Sequence, residues 1–119
     1  MPFDSVNFVL PAVETDTILR VLIRGRELVA NPADWLQGPA SRTLPDGRKQ
    51  RCSHCALRNA ATELGIHDKD VFYIEHYRNL SASSPIGSAI DFNDDPNTTH
   101  ADMLAMWDRA IAARRGELS

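Results

Sequence analysis

The chain has 119 residues, of which 43% are hydrophobic and 24% charged, a balance typical of one globular domain rather than a disordered chain. Its formal net charge of −3 argues against a dedicated nucleic-acid binder. No run of about 18 apolar residues is present, and the N-terminus lacks the basic start of a secretory signal, so we expect a cytoplasmic protein without a membrane span.

Hydrophobic periodicity predicts a mainly helical single domain over residues 1–119, which begins with an extended arm at 1–14. In the first helix Gly25 lies on the apolar stripe, which indicates close approach of another element, and Asn31-Pro32 ends the helix. In the last helix Thr99 is the expected N-cap, with Asp102 three residues later as in a capping box. The four predicted helices cover residues 15–30, 53–64, 68–80 and 99–115.

Two segments between these helices are rich in turn residues. Pro45-Asp46-Gly47 predicts a tight turn, because proline presets φ and glycine accepts positive φ, and we expect a short β-hairpin around it. Residues 81–96 are predicted to contain a short helical turn near 85–90 and then a polar loop over 91–96. Trp35 is interpreted as a core anchor, although tryptophan is also common at interfaces.

The most suggestive chemical feature is the C-x-x-C unit formed by Cys52 and Cys55, with His54 between them. One interpretation is half of a zinc site, with these three residues as ligands, because this spacing suits tetrahedral coordination by thiolates. A second is thiol redox chemistry, since a helix N-terminus stabilises a thiolate. A third is that both cysteines act as small inert hydrophobic side chains. We expect no bound cofactor, with zinc as the alternative if this unit holds a metal.

Known catalytic motifs are missing from the sequence: it has neither the G-x-S-x-G nucleophile elbow nor a phosphate-binding P-loop. Four basic residues cluster in the predicted hairpin region, which we interpret as a solvated loop rather than a nucleic-acid contact. They are Arg42, Arg48, Lys49 and Arg51.

Two stretches together resemble a family of small bacterial and phage domains of unknown function. The first runs from WLQG at 35–38 through the Asp46-Gly47 turn to Cys-Ala-Leu at 55–57, and the second runs from AIDFNDDP at 89–96 into the last helix. The resemblance covers about residues 15–113. It implies no activity, because none is established for the group.

The same resemblance implies that Cys55, Asn93, Asp94 and Thr99 are structurally special positions, with Asn93 and Asp94 tying their loop to the last helix. The chain also departs from the family pattern, since Phe92 replaces a usual tryptophan and Thr98 a usual arginine. Cys52 is an addition to that pattern, which weakens the assignment of a C-x-x-C site to the family.

From these observations we expect a helical bundle of about four helices with a short β-hairpin between helices 1 and 2. The expected function is a non-enzymatic protein-interaction module of bacterial or phage origin, a monomer or homodimer that binds another protein. Trp35, Asn93 and Asp94 are its candidate binding residues. The alternative is a zinc-binding or thiol-redox protein that uses Cys52 and Cys55.

Overall fold

The structure is a computed structural model that describes residues 15–38, 41–67 and 71–116. The arm predicted at 1–14 and the start of the helix predicted at 68 lie outside the described residues. The described helices are α1 (Thr17–Leu28), α2 (Ser53–Glu63), α3 (Val71–Ala82), α4 (Ala89–Asp94) and α5 (His100–Arg115), with a 3-10 turn at Pro32–Asp34 and two strands, β1 (Ser41–Thr43) and β2 (Lys49–Arg51).

The predicted architecture is confirmed: the fold is mainly α, with an antiparallel hairpin between the first two helices. The strands pair Ser41 with Arg51 and Thr43 with Lys49, and the connecting turn contains Gly47 at φ 88°. A positive φ is accessible to glycine because it has no Cβ. No helix within the described ranges is long and apolar enough to cross a membrane.

The prediction of a polar loop over 91–96 is wrong for its first four residues, which belong to the short helix α4. The side chain of Ser88 caps this helix by accepting the backbone N–H of Asp91 at 3.2 Å. Asp and Asn side chains favour turns because they bond to the nearby backbone. Here the cap, together with burial of Ala89 and Asn93, outweighs that preference.

One core joins the helices, since α1 packs against α2 and α5, and α3 packs against all four other helices. Gly25 on α1 faces Trp107 on α5: a Cβ added to Gly25 would lie 2.5 Å from the ring carbon Cη2. The close approach expected at Gly25 is therefore present, with the fully buried Trp107 as the neighbour. The core is built from Leu19, Val21, Leu22, Val29, Ala56, Leu57, Ala60, Ala61, Leu80, Ala89, Met103, Met106, Trp107, Ala110 and Ile111.

The capping box predicted for the last helix is also present. The Thr99 hydroxyl accepts the backbone N–H of Asp102 at 3.0 Å, and the Asp102 carboxylate accepts the backbone N–H of Thr99 at 3.1 Å. Gly116 ends the helix in the left-handed region at φ 78°. Both ends of α5 are thus fixed by local sequence.

Replacing Thr99 with alanine should lower the free energy of unfolding by about 1 kcal/mol, because an orphan N–H of the first turn loses its acceptor. Urea unfolding monitored by circular dichroism measures the change. Thr62→Ala is the matched control, since Thr62 is an exposed residue inside α2, where alanine has the better helix propensity. Equal stability of the two variants would contradict the capping role.

Candidate functional site

The C-x-x-C unit lies at the start of α2. Cys52 is the N-cap residue of this helix, and its sulfur accepts the backbone N–H of Cys55 at 3.3 Å. Both cysteines are free thiols, with Cys52 buried and Cys55 partly buried. The local sequence therefore brings the two side chains onto the same first turn, one of them shielded and the other accessible.

The surroundings of Cys55 keep its thiol protonated. Burial, followed by a side-chain hydrogen bond with Cys52, raises the pKa of the Cys55 thiol from 9.0 to about 11, while Arg58 and Ser41 act in the opposite direction to a smaller extent. A thiol with a raised pKa supplies little of the reactive thiolate at neutral pH. Cys55 is thus unlike the low-pKa nucleophile of a fast thiol enzyme.

His54, the third predicted metal ligand, packs edge-on against Tyr77, with 5.8 Å between the ring centroids. Across residues 15–38, 41–67 and 71–116, no group of three or more His, Cys, Asp or Glu side chains is arranged to hold a metal ion. Because structural zinc takes four ligands, a zinc ion at Cys52 and Cys55 would need donors from beyond these ranges or from a second copy.

A second polar cluster is centred on Asn93, whose side chain is fully buried near the end of α4. Its Oδ1 atom accepts three hydrogen bonds: from Trp35 Nε1 at 2.7 Å, and from the backbone N–H and the hydroxyl of Ser53 at 2.9 Å each. Its Nδ2 atom donates to the carbonyl of Leu36 at 3.2 Å and to the carboxylate of Asp94 at 3.1 Å. One amide thus joins α4, α2 and the segment after the 3-10 turn.

Ser53 extends this cluster into the core. Its hydroxyl donates to Asn93 and accepts the indole N–H of Trp107 at 3.3 Å, so the polar atoms of this fully buried side chain are satisfied. Buried polar groups stabilise a fold only when they are paired in this way. The two tryptophans are therefore linked through Asn93 and Ser53, although they are far apart in sequence.

The structure brings together the three predicted binding residues Trp35, Asn93 and Asp94. The connection from Asn93 to the last helix is indirect, because it passes through Ser53 to Trp107 of α5. Ser53 was predicted only as a helix start. Its hydrogen bonds to Asn93 could not be predicted, because the two residues are 40 positions apart and no local sequence pattern indicates such a contact.

His100 was likewise not singled out for this region. Its Nε2 atom lies 2.8 Å from the carbonyl of Val29, and its ring packs against Trp35 with 5.6 Å between the centroids. Trp35 is therefore partly buried between the Asn93 amide and the His100 ring. This observation agrees with its interpretation as an anchor.

Two recesses of about 350 and 540 Å³ lie along one side of α5 and share Pro85 and Arg109. We call them together the α5 groove. The Arg109 guanidinium donates twice to the carbonyl of Ser83, at 2.8 and 3.1 Å, which holds the end of α3 against α5. The groove is lined by Asn79, Ala82, Ser83, Ser84, Pro85, Phe92, Asp95, Asn97, Thr98, Asp102, Ala105, Arg109 and Ala113.

Large exposed apolar side chains lie in the same segment that borders the groove. Ile86 is 56% exposed and Ile90 is 36% exposed, and they flank the loop that enters α4. This loop is held internally, because the Ser84 hydroxyl accepts the N–H of Ile86 at 3.2 Å and donates to the carbonyl of Ser88 at 3.1 Å. The fold thus presents both isoleucines on a fixed frame.

Comparison with known proteins gives a family but no characterised relative. No curated protein and no solved structure matches the chain. The model of a family of unknown function, DUF6197, matches residues 13–113. This span is nearly the one, about 15–113, over which the sequence resembles a family of small domains. Because the match covers most of the chain, the protein belongs to this family of unknown function, DUF6197.

Proposed function

We propose that the protein is a non-enzymatic interaction module, cytoplasmic and of bacterial or phage origin, that binds another protein through the α5 groove and the isoleucines beside it. The observation that carries the proposal is the exposure of Ile86, on a hydrogen-bonded loop, and of Ile90, in the first turn of α4. Along the chain they stand next to Pro85 and near Phe92, which line the groove. Exposed apolar side chains beside a recess are typical of surfaces that a partner covers. A preorganised loop also reduces the conformational entropy that binding must remove.

The charges of the groove favour one kind of partner segment. Asp95 and Asp102 line the recess that also contains Phe92. Arg109 lines it as well, but its guanidinium donates to the carbonyl of Ser83, and two carboxylates face one guanidinium. We therefore expect the partner to contribute apolar side chains against Ile86 and Ile90 and a basic side chain toward the acidic end. Opposite charges across an interface steer association and fix its register.

Charge substitutions in this surface test the proposal. The wild-type protein should capture a stoichiometric partner from a lysate of the bacterium in which it is naturally made. The double variant Ile86→Asp, Ile90→Asp should lose that partner, because burying two carboxylates in an apolar contact is costly. Quantitative mass spectrometry of the captured proteins measures the loss, expected to exceed about tenfold.

Ile74→Asp is the matched control, since Ile74 is a 43% exposed isoleucine on α3 outside the groove lining. It should keep the partner. Capture that is equal for wild type and the double variant would place the interface elsewhere. The absence of any stoichiometric partner would argue against an interaction module.

A second candidate function is thiol redox or zinc binding by Cys52 and Cys55. The hydrogen bond from the Cys55 backbone N–H to the Cys52 sulfur places both thiols on the first turn of α2, which favours the redox form. The zinc form has less support, because the described residues contribute no third ligand.

A further inference from the structure

The spacing of Cys52 and Cys55 at the start of α2 suits a disulfide. Cys52 is at the N-cap and Cys55 is the third residue of the helix, so that they are separated by one turn. Residues three apart in helical geometry have Cα atoms about 5 Å apart, within the range of about 4.4–6.8 Å that a disulfide spans. The hydrogen bond from Cys55 N–H to the Cys52 sulfur holds that sulfur over the turn on which Cys55 lies.

The two thiols also differ in exposure to solvent, which decides which of them an external disulfide meets first. Cys55 is partly exposed, whereas only 5% of Cys52 is exposed. A dissolved disulfide can therefore reach Cys55 first, and Cys52 lies where it can attack the product from inside. The raised pKa of Cys55 makes the first step slow at neutral pH rather than forbidding it.

We propose that Cys52 and Cys55 form a reversible intramolecular disulfide by exchange with a low-molecular-mass disulfide of the glutathione class. The proposal rests on the thiol-redox candidate above. In the first step the Cys55 sulfur, having lost its proton, attacks glutathione disulfide, and one glutathione leaves as a thiolate. In the second step the deprotonated Cys52 sulfur attacks the Cys55 sulfur and displaces the second glutathione.

The two protons released by the cysteines end on the two glutathione molecules, so that one disulfide is reduced while one is formed. The oxidised pair closes a ring over the first turn of α2. Ser53 lies inside this ring and donates to Asn93, so oxidation acts next to the polar cluster that connects the helices.

The test equilibrates the full-length protein with reduced and oxidised glutathione at several ratios, alkylates the remaining thiols and measures the intact mass. Wild type should convert to a form about 2 Da lighter that takes no alkyl group, because two hydrogens leave with the disulfide. Reduction should restore two alkylated thiols. Trypsin cleaves after Arg51 and Arg58, so the single peptide 52–58 contains both cysteines and locates the bond without a variant.

Two single variants separate the steps. Cys52→Ser should stop at a persistent glutathione adduct on Cys55, and it should remain folded because serine is a preferred N-cap residue. Cys55→Ser should take no adduct in the folded state, because Cys52 is buried. A circular dichroism melt verifies that each variant is folded.

Two results would overturn the proposal in different ways. If wild type accumulates the glutathione adduct without losing the second glutathione, Cys52 does not resolve it, and thiol reactivity remains for Cys55 alone. If wild type keeps two alkylatable thiols at every glutathione ratio, the intramolecular disulfide and the thiol-redox candidate both fail. Neither result bears on the interaction module, which is tested by partner capture.

Discussion

Replacing Asn93 with alanine is expected to lower the free energy of unfolding by about 3–5 kcal/mol, since several buried groups lose their partner at once. The indole N–H of Trp35 and both donors of Ser53 would point at a missing acceptor, and the Leu36 carbonyl would lose a donor. Urea unfolding monitored by tryptophan fluorescence measures the loss. The emission should also change, because Trp35 bonds directly to Asn93.

The exposed Asn97 provides the matched control, and Asn97→Ala should change the stability by no more than about 0.5 kcal/mol. The more conservative Asn93→Asp keeps an acceptor for Trp35 and Ser53 but places a charge beside Asp94 and removes the donor to Leu36. It should therefore also destabilise the protein at neutral pH. A loss below about 1 kcal/mol in Asn93→Ala would show that the cluster contributes little.

Replacing Gly25 with alanine should destabilise the protein by about 2 kcal/mol, although alanine in a helix is ordinarily favoured over glycine by about 1 kcal/mol. The reason is the contact with Trp107, whose ring carbons Cη2 and Cζ3 would lie 2.5 and 2.7 Å from the new Cβ. The buried ring has little room to withdraw. Thermal and urea unfolding measure the change.

A double-mutant cycle isolates this contact. Trp107→Leu alone is destabilising because it leaves a cavity and deprives Ser53 of a donor. When Gly25→Ala is added to Trp107→Leu, however, it should cost at least about 1 kcal/mol less than in wild type, since the ring that it would strike is gone. If Gly25→Ala stabilises the wild-type protein, the close approach of α1 and α5 is not as tight as described.

Much of the fold was predictable because its signals are local. The proline, aspartate and glycine at 45–47 specify the hairpin turn, and Thr99 with Asp102 specifies the start of α5. The position of Gly25 on the apolar stripe of α1 predicts a close contact there, but nothing in the sequence identifies Trp107 as the neighbour. Local sequence patterns thus predict where helices and turns begin and end and where a close contact occurs, but not which residue makes that contact.

The candidate sites depend on contacts between distant residues, which local sequence patterns do not predict. The spacing of Cys52 and Cys55 drew attention to them, but only the structure shows that one is a helix cap and the other is partly exposed. The Asn93 cluster joins residues separated by 40 to 58 positions. Residues 91–94 of α4 are predicted as a loop because their composition favours turns. The α5 groove combines three segments, each of ordinary composition.

The Asn93 amide also has a consequence for how the molecule opens. A six-residue helix such as α4 cannot persist alone, because nucleating a helix costs more than so few hydrogen bonds return. It is held from outside by bonds to Ser53 and to the segment at 35–36, and those bonds break when α4 unravels. The first turn of α2, α4 and the indole of Trp35 therefore form one cooperative unit, whose amide hydrogens should exchange with solvent together rather than helix by helix.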